Sequence, residues 1–353
     1  MKTIETIFWD DAIPQIHLID QTGLPGRYRM VRCTTVNRLI TAIKRLEVRG
    51  APALGVAGAF GVALAAHRIR EKDFERYVKA LRIDAGRIME ARPTAVNLSW
   101  GVGRVLDCIH DSTSVRDVRT RTLEEAKAVA REDAETCHLL GEAGAALLPE
   151  RCTVLTHCNA GALACREWGT ALGVIRSAVM MGKEVKVIAC ETRPLLQGAR
   201  LTAWELARDD IDVTVITDSS AAYLMRQGKI DLAIVGADRI TRDVVFNKIG
   251  TYMHAICAKS HSIPFYVAAP LSTFDHDHSE TDITVEERGR DEVAYSGRTM
   301  NIPDGVPVIN YAFDATPLSD ITGIITEMGV HSIPLDWEVI REHSTGKRQP
   351  QGI

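Results

Sequence analysis

The feature that most constrains the fold is an alternation of short β-branched segments with helical segments after Arg151. Strands that alternate with helices predict a parallel sheet, because each helical crossover returns the chain in the same direction. The second half of the chain is therefore predicted to be an α/β domain built on a parallel sheet. Its five predicted strands are Cys152 to Thr156, Val185 to Ala189, Val213 to Thr217, Leu232 to Val235 and Phe265 to Ala268.

Polar and reactive side chains follow each predicted strand at the point where its apolar run stops. Ligands usually bind outside the carboxyl ends of parallel strands, where the loops between strands and helices gather. This edge of the sheet is therefore the predicted functional site. It carries His157-Cys158-Asn159, Glu191-Thr192-Arg193, Asp218-Ser219-Ser220, Gly236-Ala237-Asp238 and Ala269-Pro270.

The first half of the chain has a different rhythm. Ile13 to Cys33 alternates apolar and polar residues around a turn-rich centre, which predicts a small antiparallel β element. From Thr34 to Pro149 apolar residues recur at helical spacing, and Thr34 or Thr35 suits the first N-cap. The uncharged run Ala51 to Ala66 is shorter than the ~20 residues that a membrane helix needs. It is predicted to be a buried helix whose small side chains let another backbone come close.

These patterns divide the chain into three parts. Residues 1–120 are predicted to form a β-hairpin plus a helical domain, 121–345 the α/β domain, and 346–353 a polar tail. The charged stretch Ser112 to Arg121 shows no clear apolar face and is predicted to be a linker. A helix from Leu123 to Leu148 would then lead into the second domain.

Charge and cysteine content restrict the partners and the compartment. The chain has 42 Lys and Arg and 46 Asp and Glu, which gives a net charge of −4. This charge does not provide the overall positive potential that would attract a nucleic-acid backbone. Neither a nucleic-acid nor a membrane partner is expected. The eight cysteines contain no CxxC pair, which favours a reducing cytoplasm. The charged segment Met1 to Asp10 has no apolar core, so no signal peptide is predicted.

Two residues at the predicted sheet edge are candidates for proton transfer. Cys158 directly follows a strand, where a helix N-terminus would lower the pKa of its thiol; the alternative is a buried structural cysteine. Asp238 follows the most apolar strand through Gly236 and Ala237, where partial desolvation would raise the pKa of its carboxyl toward a useful range. The alternative for Asp238 is an N-cap of the next helix.

Three further segments combine cations with backbone donors that suit a phosphate. Arg49 and Gly50 precede the small-residue helix that begins near Ala51, and Arg92 precedes another helix. Asn247 and Lys248 would add an amide and a cation from the second half. Each arginine taken alone is equally consistent with a solvated surface residue.

Other chemistries lack their motifs. Gly182-Lys183 is followed by Glu184 rather than Ser or Thr, which excludes a P-loop, and no GxGxxG follows a strand. His276 and His278 lie two residues apart in an acidic loop without further spaced ligands, which favours a solvated loop over a metal site. We therefore expect no cofactor and no metal.

Several strings resemble the methylthioribose-1-phosphate isomerase family. That family is related to the regulatory subunits of eukaryotic initiation factor 2B and to archaeal ribose-1,5-bisphosphate isomerase. The resemblance runs from about Arg49 to the Ala312-Phe313-Asp314-Ala315-Thr316-Pro317 segment. The strings that carry it are Arg49-Gly50-Ala51-Pro52-Ala53-Leu54-Gly55, Arg92-Pro93-Thr94-Ala95-Val96-Asn97-Leu98, Leu155 through Ala164, Glu191-Thr192-Arg193-Pro194 through Gln197-Gly198, and Gly236-Ala237-Asp238-Arg239-Ile240.

The resemblance implies catalytic roles for Cys158 and Asp238 in an aldose–ketose isomerase of methionine salvage. It also implies a homodimer with a Rossmann-like second domain and a sugar phosphate as substrate. The substrate contacts that it implies are Arg49, Gly50, Ala51, Arg92, Gln197, Asn247 and Lys248. Two alternatives stay open: an isomerase for 5-deoxyribose 1-phosphate or ribose 1,5-bisphosphate, and a regulatory subunit without enzymatic activity.

Overall fold

A computed structural model describes residues 4–93, 95–297 and 299–346 of the chain. The chain divides into two compact units. The N-terminal unit contains Lys2–Cys137 together with Gly161–Gly169, and the C-terminal unit contains His138–Ala160 with the residues of Thr170–Ile353 that the structure describes. The predicted tail falls outside the described residues from 347 onward.

The N-terminal unit begins with a small antiparallel sheet, as predicted, and continues with helices. The order of its strands is β1-β2-β3, so the predicted hairpin gains one further strand at its start. Its elements are β1 (Ile7–Asp10), β2 (Gln15–Ile19), β3 (Met30–Cys33), α1 (Val36–Lys44), α2 (Ala51–Arg68), α3 (Phe74–Met89), α4 (Val96–Asp107) and α5 (Val115–Ala145), of which α5 continues into the C-terminal unit.

The helices of this unit pack around α2, which is buried along Ala53 to Ala66. Thr35 caps α1 by accepting a hydrogen bond from the N–H of Arg38, which confirms one of the two predicted N-caps. α4 approaches α2 so closely that a Cβ on Gly101 would lie 2.1 Å from the carbonyl oxygen of Gly55. The prediction that small residues admit a neighbouring backbone is therefore confirmed.

The predicted linker Ser112 to Arg121 is wrong, because α5 begins at Val115 and runs for 31 residues. The buried positions Val118, Thr122 and Ala126 form a stripe at four-residue spacing. Because threonine is polar, the apolar periodicity of this stripe is not visible in the sequence. The division between the units falls at Cys137, inside α5, rather than at the predicted position 120.

The C-terminal unit contains the predicted parallel sheet. Its elements are β4 (Arg151–Thr156), α6 (Ala171–Met180), β5 (Glu184–Cys190), α7 (Ala203–Arg208), β6 (Val213–Ile216), α8 (Ala221–Arg226), β7 (Leu232–Val235), β8 (Arg239–Ile240), β9 (Val244–Lys248), α9 (Thr251–Ser260), β10 (Phe265–Ala268), α10 (Asp291–Ala294), β11 (Tyr295–Ser296), β12 (Thr299–Met300), β13 (Phe313–Pro317), β14 (Gly323–Thr326), β15 (Gly329–Ser332) and α11 (Trp337–Gly346). A π-helical turn, Gly198–Thr202, precedes α7.

All five predicted strands lie in one seven-stranded sheet with the order β15-β14-β10-β7-β4-β5-β6. Its pairs are parallel except for the edge pair of β14 with β15, two strands that the sequence analysis did not predict. Without β15, the chain order across the sheet is 3-2-1-4-5-6, the arrangement of Rossmann folds. The α/β class and the Rossmann-like topology are therefore confirmed.

Two smaller sheets accompany the main one. β8, β9 and β13 form an antiparallel sheet in the order β13-β9-β8, and β11 pairs with β12. The first of these sheets follows β7 directly, so it lies in the chain where a helix would ordinarily follow a strand. Among the described residues, no helix is long and apolar enough to cross a membrane.

Candidate active site

The sheet reverses its strand order between β4 and β7, which pair in parallel. In open α/β sheets such a switch point creates a crevice at the carboxyl ends of the two strands, and ligands bind there. Cys158 follows β4 and Asp238 follows β7, so topology brings the two predicted catalytic residues to the same crevice.

Cys158 is partly exposed, which does not fit a buried structural cysteine. Its backbone adopts a φ of 66°, in the left-handed region. The predicted helix N-terminus is absent, since residues 159–170 contain only the short 3-10 turn Ala162–Ala164 and α6 begins at Ala171. The predicted lowering of the pKa of this thiol by a helix that begins directly after β4 is therefore not supported.

Asp238 is half-buried and precedes a strand rather than a helix. The alternative that it caps a helix is therefore wrong. Its N–H donates to the carbonyl oxygen of Phe246 at 2.9 Å, which ties it to β9 at the start of the small sheet. This arrangement leaves the Asp238 carboxyl without a capping role, and it places Asp238 beside the strand that carries Asn247 and Lys248.

Asn247 and Lys248 end β9 and are both buried. The Asn247 amide donates to the hydroxyl of Thr251 at 3.0 Å. The Lys248 ammonium donates to the carbonyl oxygen of Ala312 at 2.8 Å and lies 4.8 Å from the centre of the Phe313 ring. These contacts hold an amide and a cation at the same end of β9. The anion site predicted for them stays a prediction.

Gln197 was implied only by the family resemblance, and the structure gives it a distinctive environment. The residue follows β5 and is 5% exposed. Its side-chain oxygen Oε1 is buried and has no hydrogen-bond partner among the described residues. A buried carbonyl group without a partner is costly, so such a group is typical of a position that meets a ligand.

Asp314 is a partly buried carboxylate next to Asn247 that sequence reasoning did not single out. In β13 it lies opposite Asn247, and its Oδ2 accepts the N–H groups of Gly250 at 2.7 Å and Tyr252 at 3.2 Å. Burial raises the pKa of its carboxyl to about 6. The only signal in the sequence was its place within the string from Ala312 to Pro317, because pairing of β13 with β9 is not visible in either segment alone.

Two buried histidines lie beneath this edge of the sheet. His157 Nε2 donates to the carbonyl oxygen of Ile249 at 2.9 Å, which leaves Nδ1 to accept from His254 Nε2 at 3.2 Å. Burial lowers the pKa of His157 to about 4 and that of His254 to about 3, so both rings are neutral at pH 7. Together with Cys190 and Asp218 they form a group with metal-ligating atoms within 4.8 Å of one another. The hydrogen bonds already use three of the four imidazole nitrogens.

The remaining predicted contacts belong to the N-terminal unit. Gly50 has a φ of 91°, and a Cβ there would lie 2.5 Å from the backbone of Ala164, so only glycine fits. Ala51 begins α2, whose N-terminus has no side-chain cap. Its first-turn N–H groups are therefore suited to an anion beside Arg49. Arg92 lies before α4, and Thr94 of the same string is outside the described residues.

The acidic loop with two histidines fits its solvated interpretation at His278. His278 is half-exposed and its Nδ1 lies 2.9 Å from a carboxylate oxygen of Asp275. Asp275 also forms an ion pair with Arg239 at 2.9 Å. His276 differs from the predicted solvated residue, because its ring is partly buried and lies 5.8 Å from the ring of Trp337.

Comparison with known proteins agrees with this geometry. Residues 47–332 match the initiation factor 2 subunit family. A curated relative from Heliobacterium modesticaldum, methylthioribose-1-phosphate isomerase, is 52% identical over 338 residues, which cover 94% of this chain and 96% of the relative.

Two crystal structures have the same fold over nearly the whole chain. The 5-methylthioribose 1-phosphate isomerase from Pyrococcus horikoshii OT3 has a TM-score of 0.89 and 39% identity, covering 97% of this chain and 96% of the other. A structure described as translation initiation factor eIF-2B subunit delta from A. fulgidus has a TM-score of 0.87 and 50% identity, covering 97% and 99%. The chain therefore belongs to the initiation factor 2 subunit family, and within that family it groups with relatives named methylthioribose-1-phosphate isomerase.

Proposed function

We propose that this protein is an aldose–ketose isomerase that converts 5-methylthioribose 1-phosphate to 5-methylthioribulose 1-phosphate in methionine salvage. The observation that carries the proposal is the pairing of Cys158 and Asp238 at the switch point of the sheet. A regulatory subunit would have no use for a partly exposed thiol and a half-buried carboxyl in one crevice. The names of relatives about half identical to this chain support the same substrate.

The chemistry requires ring opening, because the phosphate on C1 locks the anomeric carbon and leaves no free aldehyde. In the proposed mechanism, Asp238 protonates the ring oxygen as the ring opens. The Cys158 thiolate then removes the proton from C2 of the cation that ring opening leaves at C1, which gives an enol phosphate. The Cys158 thiol returns a proton to C1 while the C2 hydroxyl gives its proton to the Asp238 carboxylate, which yields the ketose 1-phosphate and restores both groups. The reaction is redox-neutral overall and needs no external oxidant or reductant.

Substrate positioning in this mechanism depends on the phosphate. The family resemblance implies that Arg49, Arg92, Lys248 and the residues Gly50 and Ala51 contact the substrate, and we propose that they bind its phosphate. Charge-assisted hydrogen bonds of this kind fix the sugar relative to the acid and the base. Gln197 and Asn247 would bind the sugar hydroxyls; the Gln197 side chain is buried after β5 of the main sheet, and the Asn247 side chain is buried at the end of β9 in the small sheet.

A transfer of hydride from C2 to C1 is the competing route to the same product. The two routes differ in the origin of the hydrogen on C1. Turnover in deuterium oxide should place solvent deuterium at C1 if Cys158 acts as a base, whereas complete retention of the C2 hydrogen would contradict this role.

The acid assigned to the reaction can be tested separately. Asp238→Asn should lower kcat by about two to four orders of magnitude, because the amide cannot donate a proton to the ring oxygen. A variant that only raises KM would instead show that Asp238 binds substrate.

The decisive experiment compares three sugars in parallel: methylthioribose 1-phosphate, 5-deoxyribose 1-phosphate and ribose 1,5-bisphosphate. A higher kcat/KM for the methylthio sugar supports the proposal, and equal use of the deoxy sugar would indicate a broader salvage role. A preference for the bisphosphate would reassign the substrate. No turnover of any sugar would favour the regulatory alternative that the eIF-2B relative represents.

Oligomeric state and compartment complete the proposal. We expect a homodimer, as the family resemblance implies, and a cytoplasmic location, because all eight cysteines are free thiols. Light scattering during gel filtration should give twice the mass of the chain.

A further inference from the structure

The backbone around Cys158 is held in an unfavourable conformation. Four residues with a Cβ adopt left-handed φ values in the segments that follow β4 and β5: Cys158 at 66°, Trp168 at 64°, Thr192 at 67° and Leu196 at 57°. This region is disfavoured for residues other than glycine, because Cβ crowds the neighbouring carbonyl oxygen. Such conformations persist only where surrounding contacts hold them, and they cluster at functional sites.

Two threonine hydroxyls hold the peptide groups on either side of Cys158. The Cys158 N–H donates to Oγ1 of Thr192 at 2.9 Å, and the Cys158 carbonyl oxygen accepts from Oγ1 of Thr202 at 2.7 Å. Both threonines are fully buried. Because both flanking peptide groups are anchored, φ and ψ of Cys158 are fixed, and with them the direction of its Cα–Cβ bond.

Thr192, which follows β5, is itself anchored by hydrogen bonds at the ends of β5 and β6. Its N–H donates to Oδ1 of Asp218 at 2.7 Å, and the N–H of Arg193 donates to Oδ2 of the same carboxylate at 2.8 Å. Its hydroxyl donates to the carbonyl oxygen of Cys190 at 3.0 Å. Since the hydroxyl proton is used in that bond, the oxygen is left as the acceptor for Cys158. The carboxyl ends of β4, β5 and β6 are thus linked through one hydroxyl and one carboxylate.

We propose that Thr192 is a positioning residue for Cys158 and that Asp218 holds Thr192 in place. The Thr192 hydroxyl stabilises the left-handed backbone of Cys158, so the thiol meets the substrate in a single orientation. The kinetic consequence rests on the proposed isomerase function. The geometric consequence, a rigid Cys158 backbone, does not.

Thr192→Val tests the proposal by replacing the hydroxyl with a methyl group of similar size. We expect kcat to fall about 10- to 100-fold while KM stays within about threefold, because a displaced base slows proton transfer more than binding. Thr192→Ser keeps the hydroxyl and should restore most of kcat. If Thr192→Val does not fold, Asp218→Asn provides the same test, because it removes one of two backbone acceptors.

Thr322→Val is the matched control. The Thr322 hydroxyl accepts the N–H of Phe265 at 2.9 Å, the same kind of bond, at the amino end of β10 and so at the opposite edge of the sheet. This variant should keep the wild-type kcat. Amide hydrogen exchange at Cys158 should become faster in Thr192→Val and stay unchanged in Thr322→Val.

Several outcomes would overturn the proposal. One is a folded Thr192→Val protein with faster exchange at Cys158 and an unchanged kcat; another is a raised KM at constant kcat. If the wild type turns over no sugar phosphate, the proposed function fails. The positioning of Cys158 by Thr192 is then tested by the rate at which iodoacetamide alkylates Cys158. An equal rate in wild type and Thr192→Val would then reject it. A rate changed by more than about threefold, with Thr192→Ser and Thr322→Val at the wild-type rate, would support it.

Discussion

The packing of α2 against α4 and the hydrogen-bonded edge around Cys158 obey different physical limits. Between the helices the limit is volume, because the Cβ of an alanine at position 101 would overlap the backbone at Gly55. Around Cys158 the limit is hydrogen bonding, because Thr192 and Thr202 are fully buried and each bonds the Cys158 backbone. The helical region therefore tolerates little added bulk, whereas the sheet edge tolerates little loss of polarity.

We expect residues of the helix pair to affect mainly stability, and residues of the sheet edge to affect the proposed isomerase reaction. A close-packed helix pair contributes apolar burial and no reactive group. At the sheet edge, the left-handed backbone of Cys158 and buried polar atoms such as Gln197 Oε1 lower the stability of the fold. Substitutions in the two regions should consequently affect different measurements.

The largest expected effect is at the sheet edge. Cys158→Ser should lower kcat by about two to four orders of magnitude, because serine is a far weaker base than a thiolate. The melting temperature should stay close to that of the wild type, since the side chain is partly exposed. Steady-state kinetics and calorimetry on the same sample test both statements. Near-normal turnover would remove Cys158 from the mechanism.

The converse substitution is Gly101→Ala in α4. The added Cβ would lie 2.1 Å from the Gly55 carbonyl oxygen, so the helices must separate, at a cost of about 3 kcal/mol. Gly103→Ala is its control on the same helix, because a Cβ there meets nothing within 4 Å. That control should be neutral or stabilising by up to about 1 kcal/mol. Urea denaturation measures the unfolding free energy of both variants. An equal change in Gly101→Ala and Gly103→Ala would show that volume does not limit the contact between α2 and α4.

The buried histidines predict a pH dependence of stability. Burial lowers the pKa of His157 to about 4 and of His254 to about 3, below their ordinary value of 6.5. The unfolded state therefore binds more protons, and stability is fully present above pH 6.5 and is lost as the pH falls toward 4. We expect each ring to contribute a loss of about 2 to 3 kcal/mol over this range.

His254→Gln isolates this effect. The raised pKa of Asp314 acts in the opposite direction between its ordinary value of 3.8 and about 6, so the difference between variant and wild type is the useful quantity. The variant should lose less stability on acidification. Unfolding free energies from denaturation curves between pH 7 and 4 measure this loss. An equal fall of the free energy with pH in variant and wild type would contradict the contribution assigned to His254.

The smallest expected effect concerns Gln197. Gln197→Met removes the buried Oε1 without changing the volume much, so unfolding free energy should stay constant or rise by up to about 1 kcal/mol. KM should rise about tenfold, which corresponds to about 1.4 kcal/mol. Gln15→Met is the contrast: its amide donates to Asp10 at 2.8 Å, so stability should fall while KM is unchanged. An unchanged KM in Gln197→Met would remove Gln197 from the substrate contacts.

The placement of the candidate residues was predictable because strand ends are visible in the sequence. Cys158 and Asp238 follow, within two or three residues, apolar runs that the structure confirms as β4 and β7. Their alternative roles were not decidable from local sequence, because a helix and the strand β8 are equally compatible with the residues after Asp238. Asp314 was missed for a similar reason, since its role depends on the pairing of β13 with β9.

The parallel sheet, the buried small-residue helix and the places of Cys158 and Asp238 at strand ends could all be predicted from the amino-acid sequence. They follow from local periodicity and from the fact that the strands of a parallel sheet end at one edge. The strand order, the small sheet that carries Asn247 and Lys248, and the threonine contacts at Cys158 became visible only in the folded structure. Most of those features depend on residues that are distant in the chain, such as Cys158 and Thr192, which are 34 positions apart, and their hydrogen bonds form only when folding brings the segments together.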